Sequence, residues 1–465
     1  MTLSRRHVLQ RSLAFSLGFS GLHTLLRPGT AMADLLRLHA GPGYGPLVSD
    51  PAGQLDLPAG FSYKAISCFR EVMDDGLTVP AKHDGMAAFP GPDGLTVLVR
   101  NHELDTADMV RGAFGSRGQR LTDAIRAKMY DTGHGSVPAL GGTTTVVYDT
   151  RAKRVVRHSM SLAGTVYNCA GGMTPWGTWL SCEETMTLAG DRYSKDHGYV
   201  FEVKASAEAG LQKAEPIEAM GRFQHEAAAV DPRSNVVYMT EDLADGLLYR
   251  YIPKVPGKLH EGGRLQCLML KGAPRADTRN WEKQTFGLGT AHAAEWFDLE
   301  HTASAQNDLR YANFERGAAV FGRGEGMWYA NGVIYFATTI GGKAQRGQIW
   351  KYTPSAKEGT PLEAQSPGML ELFVEPNDGT LIGNCDNITV APWGDLVVCE
   401  DAVPDDDKEN FLLGISPEGS VYKLARNAGS SSEFAGATFS PDGSTLFVNR
   451  QNEGQTLAIT GPWKS

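Results

Sequence analysis

Pro175-Trp176-Gly177-Thr178-Trp179-Leu180-Ser181-Cys182-Glu183-Glu184 reads as a tight turn, a short apolar strand and an acidic end. The same order returns in Pro392-Trp393-Gly394 running to Cys399-Glu400-Asp401. Asp231-Pro232 leads in the same way to Thr240-Glu241-Asp242, and Pro92-Asp93-Gly94 to Asn101-His102-Glu103. Two fainter copies run from Asn331-Gly332 to Thr338-Thr339 and from Pro441-Asp442-Gly443 to Asn449-Arg450-Gln451. A period of roughly 50–60 residues, with one longer interval on each side, falls in the range of propeller blades. The expected fold is all-β: a six-bladed β-propeller with loop and short-helix insertions.

The rest of the chain agrees with this expectation. Short apolar or alternating runs recur near residues 143–148, 199–203, 247–251, 348–352, 370–374 and 419–424, and 54 Gly and 24 Pro supply turns. No βαβ alternation interrupts them. The alternating stretch from Phe61 to Ile66 reads as an outer or closing strand. Two insertions break the period, near 104–140 with a helical pattern over 121–129, and near 255–315 with His292, Glu295, Trp296 and Asp298. The acidic run Asp405-Asp406-Asp407-Lys408-Glu409 lacks the spacing of an EF-hand and reads as a solvated loop.

The first residues carry a different message. Ser4-Arg5-Arg6-His7-Val8-Leu9-Gln10, a mildly apolar stretch from Leu13 to Leu26 and the small residues of Ala31-Met32-Ala33 read as a twin-arginine export signal. The expected division is a signal peptide at 1–33 and one propeller domain at 34–465, periplasmic or secreted. The twin-arginine translocase is then a transient partner, with no stable membrane insertion after cleavage. The formal charge of −9 becomes −13 once the four Arg of residues 1–33 are removed, because no acid leaves with them. So acidic a domain is a poor ligand for nucleic acid and a suitable one for hard cations. A monomer is expected. The six cysteines, Cys68, Cys169, Cys182, Cys267, Cys385 and Cys399, contain no CxxC pair, which excludes zinc-ribbon and thioredoxin readings. Cys182 and Cys399 occupy equivalent repeat positions and read as wall residues.

A second set of polar residues precedes each turn: Asp84-Gly85, Cys169-Ala170-Gly171-Gly172, His225-Glu226, Glu325-Gly326, Asp386-Asn387 and Glu433. In an antiparallel hairpin the start of one strand lies beside the end of the next. Glu226 should therefore meet Glu241-Asp242, Cys169 should lie near Glu183-Glu184, and Asp386-Asn387 near Glu400-Asp401. Closure of the propeller would gather these ends at one channel mouth. A lone strand-end acid is usually a solvated cap, but the offset recurs in four copies. Carboxylates packed this closely cannot all stay ionised without cations. Many oxygens favour calcium, and an inward cysteine thiolate favours a transition metal on its side. Gly322-Arg323-Gly324-Glu325-Gly326 lacks the strand–helix context of a phosphate loop, yet Arg323 is a candidate anion clamp.

At these residues the sequence resembles the PhoX-type alkaline phosphatases. The resemblance lies in Asn168-Cys169-Ala170-Gly171-Gly172 with Thr174-Pro175-Trp176-Gly177-Thr178-Trp179, and in Cys182-Glu183-Glu184. It extends through His225-Glu226, Thr240-Glu241-Asp242, Arg323 with Glu325-Gly326, and Asp386-Asn387 with Cys399-Glu400-Asp401. It implies phosphomonoester hydrolysis at an iron–calcium cluster held by a six-bladed propeller. By motif it makes Cys169 an iron ligand, and Glu103, Glu183, Glu184, Glu226, Glu241, Asp242, Glu325, Asp386, Asn387, Glu400 and Asp401 candidate metal ligands. Arg323 would bind the phosphate of a small phosphomonoester, with Cys169 and Glu325 beside it in the catalytic centre. Two rival readings of the residues remain: a calcium-dependent lactonase or phosphotriesterase, and a non-catalytic binding propeller stiffened by metal.

Overall fold

The computed structural model describes residues 38–105, 109–208, 210–401 and 409–464. The leader at 1–33 and most of the acidic run at 405–409 lie outside the described residues. Each of the six turns joins the two inner strands of one blade. The pairs are His83–Pro90 with Thr96–His102, Asn168–Met173 with Thr178–Glu183, and His225–Val230 with Val237–Glu241. Gly324–Ala330 pairs with Val333–Thr338, Cys385–Val390 with Leu396–Glu400, and Phe434–Phe439 with Leu446–Arg450. The first strand of each pair neighbours the first strand of the next, and the last returns to the first, so six blades close a ring.

Antiparallel partners extend each blade outward. The third and fourth blades also join each other: Ala291–Asp298 pairs with Gly263–Leu270 on one side and Met369–Val374 on the other, making one ten-stranded sheet. The insertion near 255–315 thus contains a bridging strand as well as loops and the helix Leu309–Glu315. The helix expected over 121–129 shortens to Asp123–Arg126, with Thr122 Oγ1 accepting from the Ile125 amide at 3.3 Å. The expected closing strand is Ser62–Cys68, which pairs antiparallel with Gln455–Thr460 and completes the sixth blade with residues from the other end of the chain. No helix among the described residues is long and apolar enough to cross a membrane.

Alternation along the strands places apolar side chains between successive blades rather than in one central core. Leu180, Cys182 and Val200 of the second blade meet Val237, Met239 and Tyr249 of the third, while Val397, Cys399 and Leu412 of the fifth meet Leu446, Val448 and Leu457 of the sixth. A fully buried Leu such as Leu180 stabilises the fold by about 1.5–3 kcal/mol. Cys182 and Cys399 are wall residues, as their repeat positions indicate, and all six cysteines are free thiols. The tryptophans also pack blades: Trp393 stacks on Trp463 at 5.6 Å, and Trp179 Nε1 donates to Asn101 Oδ1 at 2.9 Å.

Candidate metal centre

The first strand of every blade carries a β-bulge near its start, two residues facing one on its partner, at one register in five blades and one residue later in the sixth. The bulged residues are Asp84-Gly85, Cys169-Ala170, Glu226-Ala227, Glu325-Gly326, Asp386-Asn387 and, in the sixth blade, Gly436-Ala437. Five of the six bulges therefore present an acid or a thiol. In four of these five the residue behind it is Gly or Ala, because the next inner strand passes there. A Cβ on Gly85 would lie 2.6 Å from the Ala170 Cα, and one on Gly326 2.6 Å from the Asn387 Cα. Gly85, Ala170, Ala227, Gly326, Asn387 and Gly436 together line a narrow axial cavity.

Side chains from the preceding blade hold three of the bulges. Asn101 Nδ2 donates to the carbonyls of Cys169 (3.0 Å) and Ala170 (2.6 Å), and Thr240 Oγ1 to that of Glu325 (2.7 Å). Asn449 Nδ2 donates likewise to the Asp84 carbonyl. All three residues sit one place before the end of the second strand, where Cys182 and Cys399 face apolar neighbours instead.

A second ring follows the end of the second strand: Glu103, Glu184, Asp242, Thr339, Asp401 and Gln451. Each amide there donates back to the residue preceding the first strand, Lys82, Tyr167, Gln224, Arg323, Asn384 and Glu433 respectively, at 2.9–3.3 Å. The six-fold repetition of this bond sets both rings at one end of the channel.

The carboxylates and the thiol gather there. Ligand atoms of Cys169, Glu184 and Glu226 all lie within 4.8 Å of one another, and so do those of Glu226, Glu325 and Asp386. Glu226 belongs to both groups, is fully buried, and neither of its carboxylate oxygens has a hydrogen-bond partner among the described residues. Burial, followed by the charges of Glu184 and Asp386, pushes its carboxyl well above the usual range. Burial and then Glu103 raise Asp84, while burial and then Asp401 raise both Glu433 and Asp386, the last to about 7. Burial, then Asp84 and Glu226, keeps Cys169 a thiol in the absence of a cation. Gln451 spans part of the ring, its Nε2 donating to Asp84 (2.7 Å) and Glu103 (3.0 Å) while Lys82 Nζ donates to its Oε1 (2.8 Å).

Arg323 is ion-paired to two members of this cluster. Its Nε and Nη2 donate to the two Asp242 oxygens at 2.8 and 2.7 Å, and Nη2 also lies 3.1 Å from Glu325 Oε1. Burial alone would weaken its charge; Glu325 and Asp242 reverse that and keep it protonated.

Of the residues expected at the site, Glu103, Cys169, Glu184, Glu226, Asp242, Arg323, Glu325, Asp386 and Asp401 are brought together. Glu183, Glu241 and Glu400 are not. Each stands one residue ahead of a cluster member and turns into its own blade, because successive side chains of a strand face opposite ways. Glu183 accepts from the Val166, Gly198 and Tyr199 amides at 2.9, 2.8 and 3.2 Å and from His197 Nδ1 at 2.6 Å. Glu241 accepts from the Leu247 amide (3.0 Å) and the Tyr249 hydroxyl (2.8 Å), and Glu400 from the Gly383 (2.6 Å) and Phe411 (3.1 Å) amides. Asn387 spends its side chain on Asp386 Oδ1 (2.9 Å) and the Gly436 amide (2.7 Å). The structure adds Asp84 and Glu433 to the cluster. Their offset from the turn was the available signal.

The donor set fits cations. A buried carboxylate with two unpartnered oxygens, shared between two groups of further acids, is stable when ionised only against positive charge. The profile of the family described as "Alkaline phosphatase PhoX" matches residues 42–454. The chain belongs to the PhoX alkaline phosphatase family. Members of that family are phosphomonoesterases. Among solved structures, Pseudomonas fluorescens PhoX in complex with vanadate, a transition state analogue, has the same fold. Its TM-score is 0.64 at 18% identity, covering 92% of this chain and 98% of that one. A putative gluconolactonase (TM-score 0.40, 10% identity, 90% of this chain and 98% of that one) is a weaker likeness. So is a luciferin-regenerating enzyme (TM-score 0.40, 11% identity, 86% and 96%). No curated protein sequence matches the chain.

Proposed function

We propose that this PhoX-family chain is an exported phosphomonoesterase whose channel mouth holds iron and calcium. The observation that carries the metal reading is Glu226, buried, unpartnered at both oxygens among the described residues, and common to the two ligand groups. Cys169 with Glu184 and Glu226 forms the mixed sulfur–oxygen side that suits iron, while Glu226, Glu325 and Asp386 form the all-oxygen side that suits calcium. Asp84, Glu103, Asp242, Asp401 and Glu433 complete the ring of acids around them. Cys169 also argues against the all-oxygen site expected of a calcium-dependent lactonase.

When bound, the metals would supply Lewis-acid neutralisation of charge developing on the phosphoryl oxygens. The chain's own contribution is placement. Glu325 and Asp242 fix the Arg323 guanidinium on two sides, leaving its Nη1 edge to donate to a phosphoryl oxygen. The guanidinium is more than one-third exposed, so it can meet a ligand arriving from solvent while its anchors stay buried. The vanadate bound by Pseudomonas fluorescens PhoX supports a phosphate ester as the ligand of this site. The leader at 1–33 supports folding before twin-arginine export and residence in the periplasm or outside the cell.

Protein purified from its export route is expected to hydrolyse phosphomonoesters in preference to lactones and phosphotriesters. Cys169→Ser is expected to lower iron content and turnover together. Full turnover with normal iron in that variant would remove Cys169 from the centre.

A further inference from the structure

The six residues that precede the inner strands form the rim of the channel mouth, and four of them, Lys82, Tyr167, Arg323 and Asn384, have positive φ (50°, 47°, 55° and 53°). Asparagine enters this region readily; a tyrosine does so rarely. The backbone of Tyr167 is held there from both sides. Its amide donates to the Leu104 carbonyl and its carbonyl accepts from Glu184, each at 2.9 Å. Tyr167 precedes Cys169 by two residues, as Arg323 precedes Glu325, so the two side chains occupy equivalent positions with one blade between them. Glu226, shared by both ligand groups, belongs to that intervening blade.

The ring of Tyr167 is not packed away. The residue is 37% exposed, whereas Tyr193, on the neighbouring loop, is 6% exposed. Its hydroxyl donates to Asp105 Oδ2 at 3.3 Å, a contact that steadies one end of the ring and leaves aromatic surface open. A phosphoryl group held by Arg323 over Glu226 would direct its ester oxygen outward, toward this rim. We propose that Tyr167 is a specificity-determining residue whose ring packs against the leaving group, favouring planar aromatic leaving groups over small alkyl ones. The inference rests on the phosphomonoesterase reading of the same site. Its physical basis is the large contact area and stacking preference of aromatic pairs.

Two measurements on the metal-loaded full-length protein test it. The first is the ratio of kcat/KM for phenyl phosphate to that for glycerol phosphate; the second is the ratio of affinities for phenylphosphonate and methylphosphonate, by calorimetry. Both ratios are expected to fall about tenfold in Tyr167→Ala, corresponding to ~1.4 kcal/mol, and to persist in Tyr167→Phe, which keeps the ring and loses the bond to Asp105. Tyr167→Gly, which relaxes the left-handed backbone, should lose the preference in the same way and guards against misfolding of the alanine variant. Unchanged ratios in the folded Ala or Gly variant would overturn the proposal, as would equal weakening of the aryl and alkyl ligands. Absence of turnover of both esters by the wild type would sink the phosphomonoesterase reading instead, with the phosphonate ratio still deciding the role of Tyr167.

Discussion

Glu183, Glu241 and Glu400 stand immediately before Glu184, Asp242 and Asp401 in the chain, and the two trios meet opposite fates. The first trio turns into the blades, where each acid accepts bonds from backbone amides or neighbouring side chains. The second trio turns to the channel mouth and stands among like charges. One residue of strand register separates an acid that braces the scaffold from an acid set among other acids. Acidity alone therefore does not identify a ligand; its remaining partners do.

The sharpest way to break this comparison is Glu226→Gln, which keeps the shape of the shared carboxylate and removes its charge. Turnover of a phosphomonoester is expected to fall on the order of 100-fold or more, with iron and calcium lost from the purified protein. Retained metals by elemental analysis would show that Glu226 is not the shared ligand.

The opposite face predicts the opposite balance. His197 lies buried between Glu183 and Asp131, its Nδ1 2.6 Å from Glu183 Oε1 and its Nε2 3.2 Å from Asp131 Oδ2. Burial opposes its charge, but Glu183 and Asp131 outweigh burial and lift its pKa to about 9. Because the folded value exceeds the unfolded one, the stabilisation is complete below the ordinary histidine value of 6.5 and disappears as pH rises through about 9. Glu183→Gln is expected to cost about 3–5 kcal/mol in urea unfolding at neutral pH, while its folded fraction retains iron. His197→Gln should flatten the decline in stability between these two pH values; an unaltered decline would rule out the His197 bridge as its source.

A third pair contrasts the cysteines. Cys169 stands on a bulge at the cluster, and Cys182 stands in the wall between the second and third blades. Cys182→Ala removes one buried sulfur and should cost about 1–2 kcal/mol without changing iron content. Loss of iron in Cys182→Ala would contradict the assignment of the two thiols.

The turns and the acidic strand ends were legible in the sequence because both repeat at one offset. That repetition revealed all six hairpins and most of the cluster, including Glu226 and Asp386. The doubled acids were legible only as pairs, since Cys182-Glu183-Glu184 does not reveal which glutamate the bulge and the following turn will send inward. Asp84 and Glu433 stood at the repeated offset but lacked an acidic twin strong enough to single them out. The clamps Asn101, Thr240 and Asn449 were invisible for a different reason: each holds a bulge on the next blade, a contact set by ring closure. The strand Ala291–Asp298 was hidden in an insertion because its partners come from two different blades.

The central claim is that the mouth of this propeller is built around cations. Elemental analysis of wild-type protein taken through its own export route tests it most directly. Both iron and calcium are expected in the purified protein, with turnover lost when a chelator removes them and thermal stability lowered in parallel. Fully active protein containing neither metal would contradict the account.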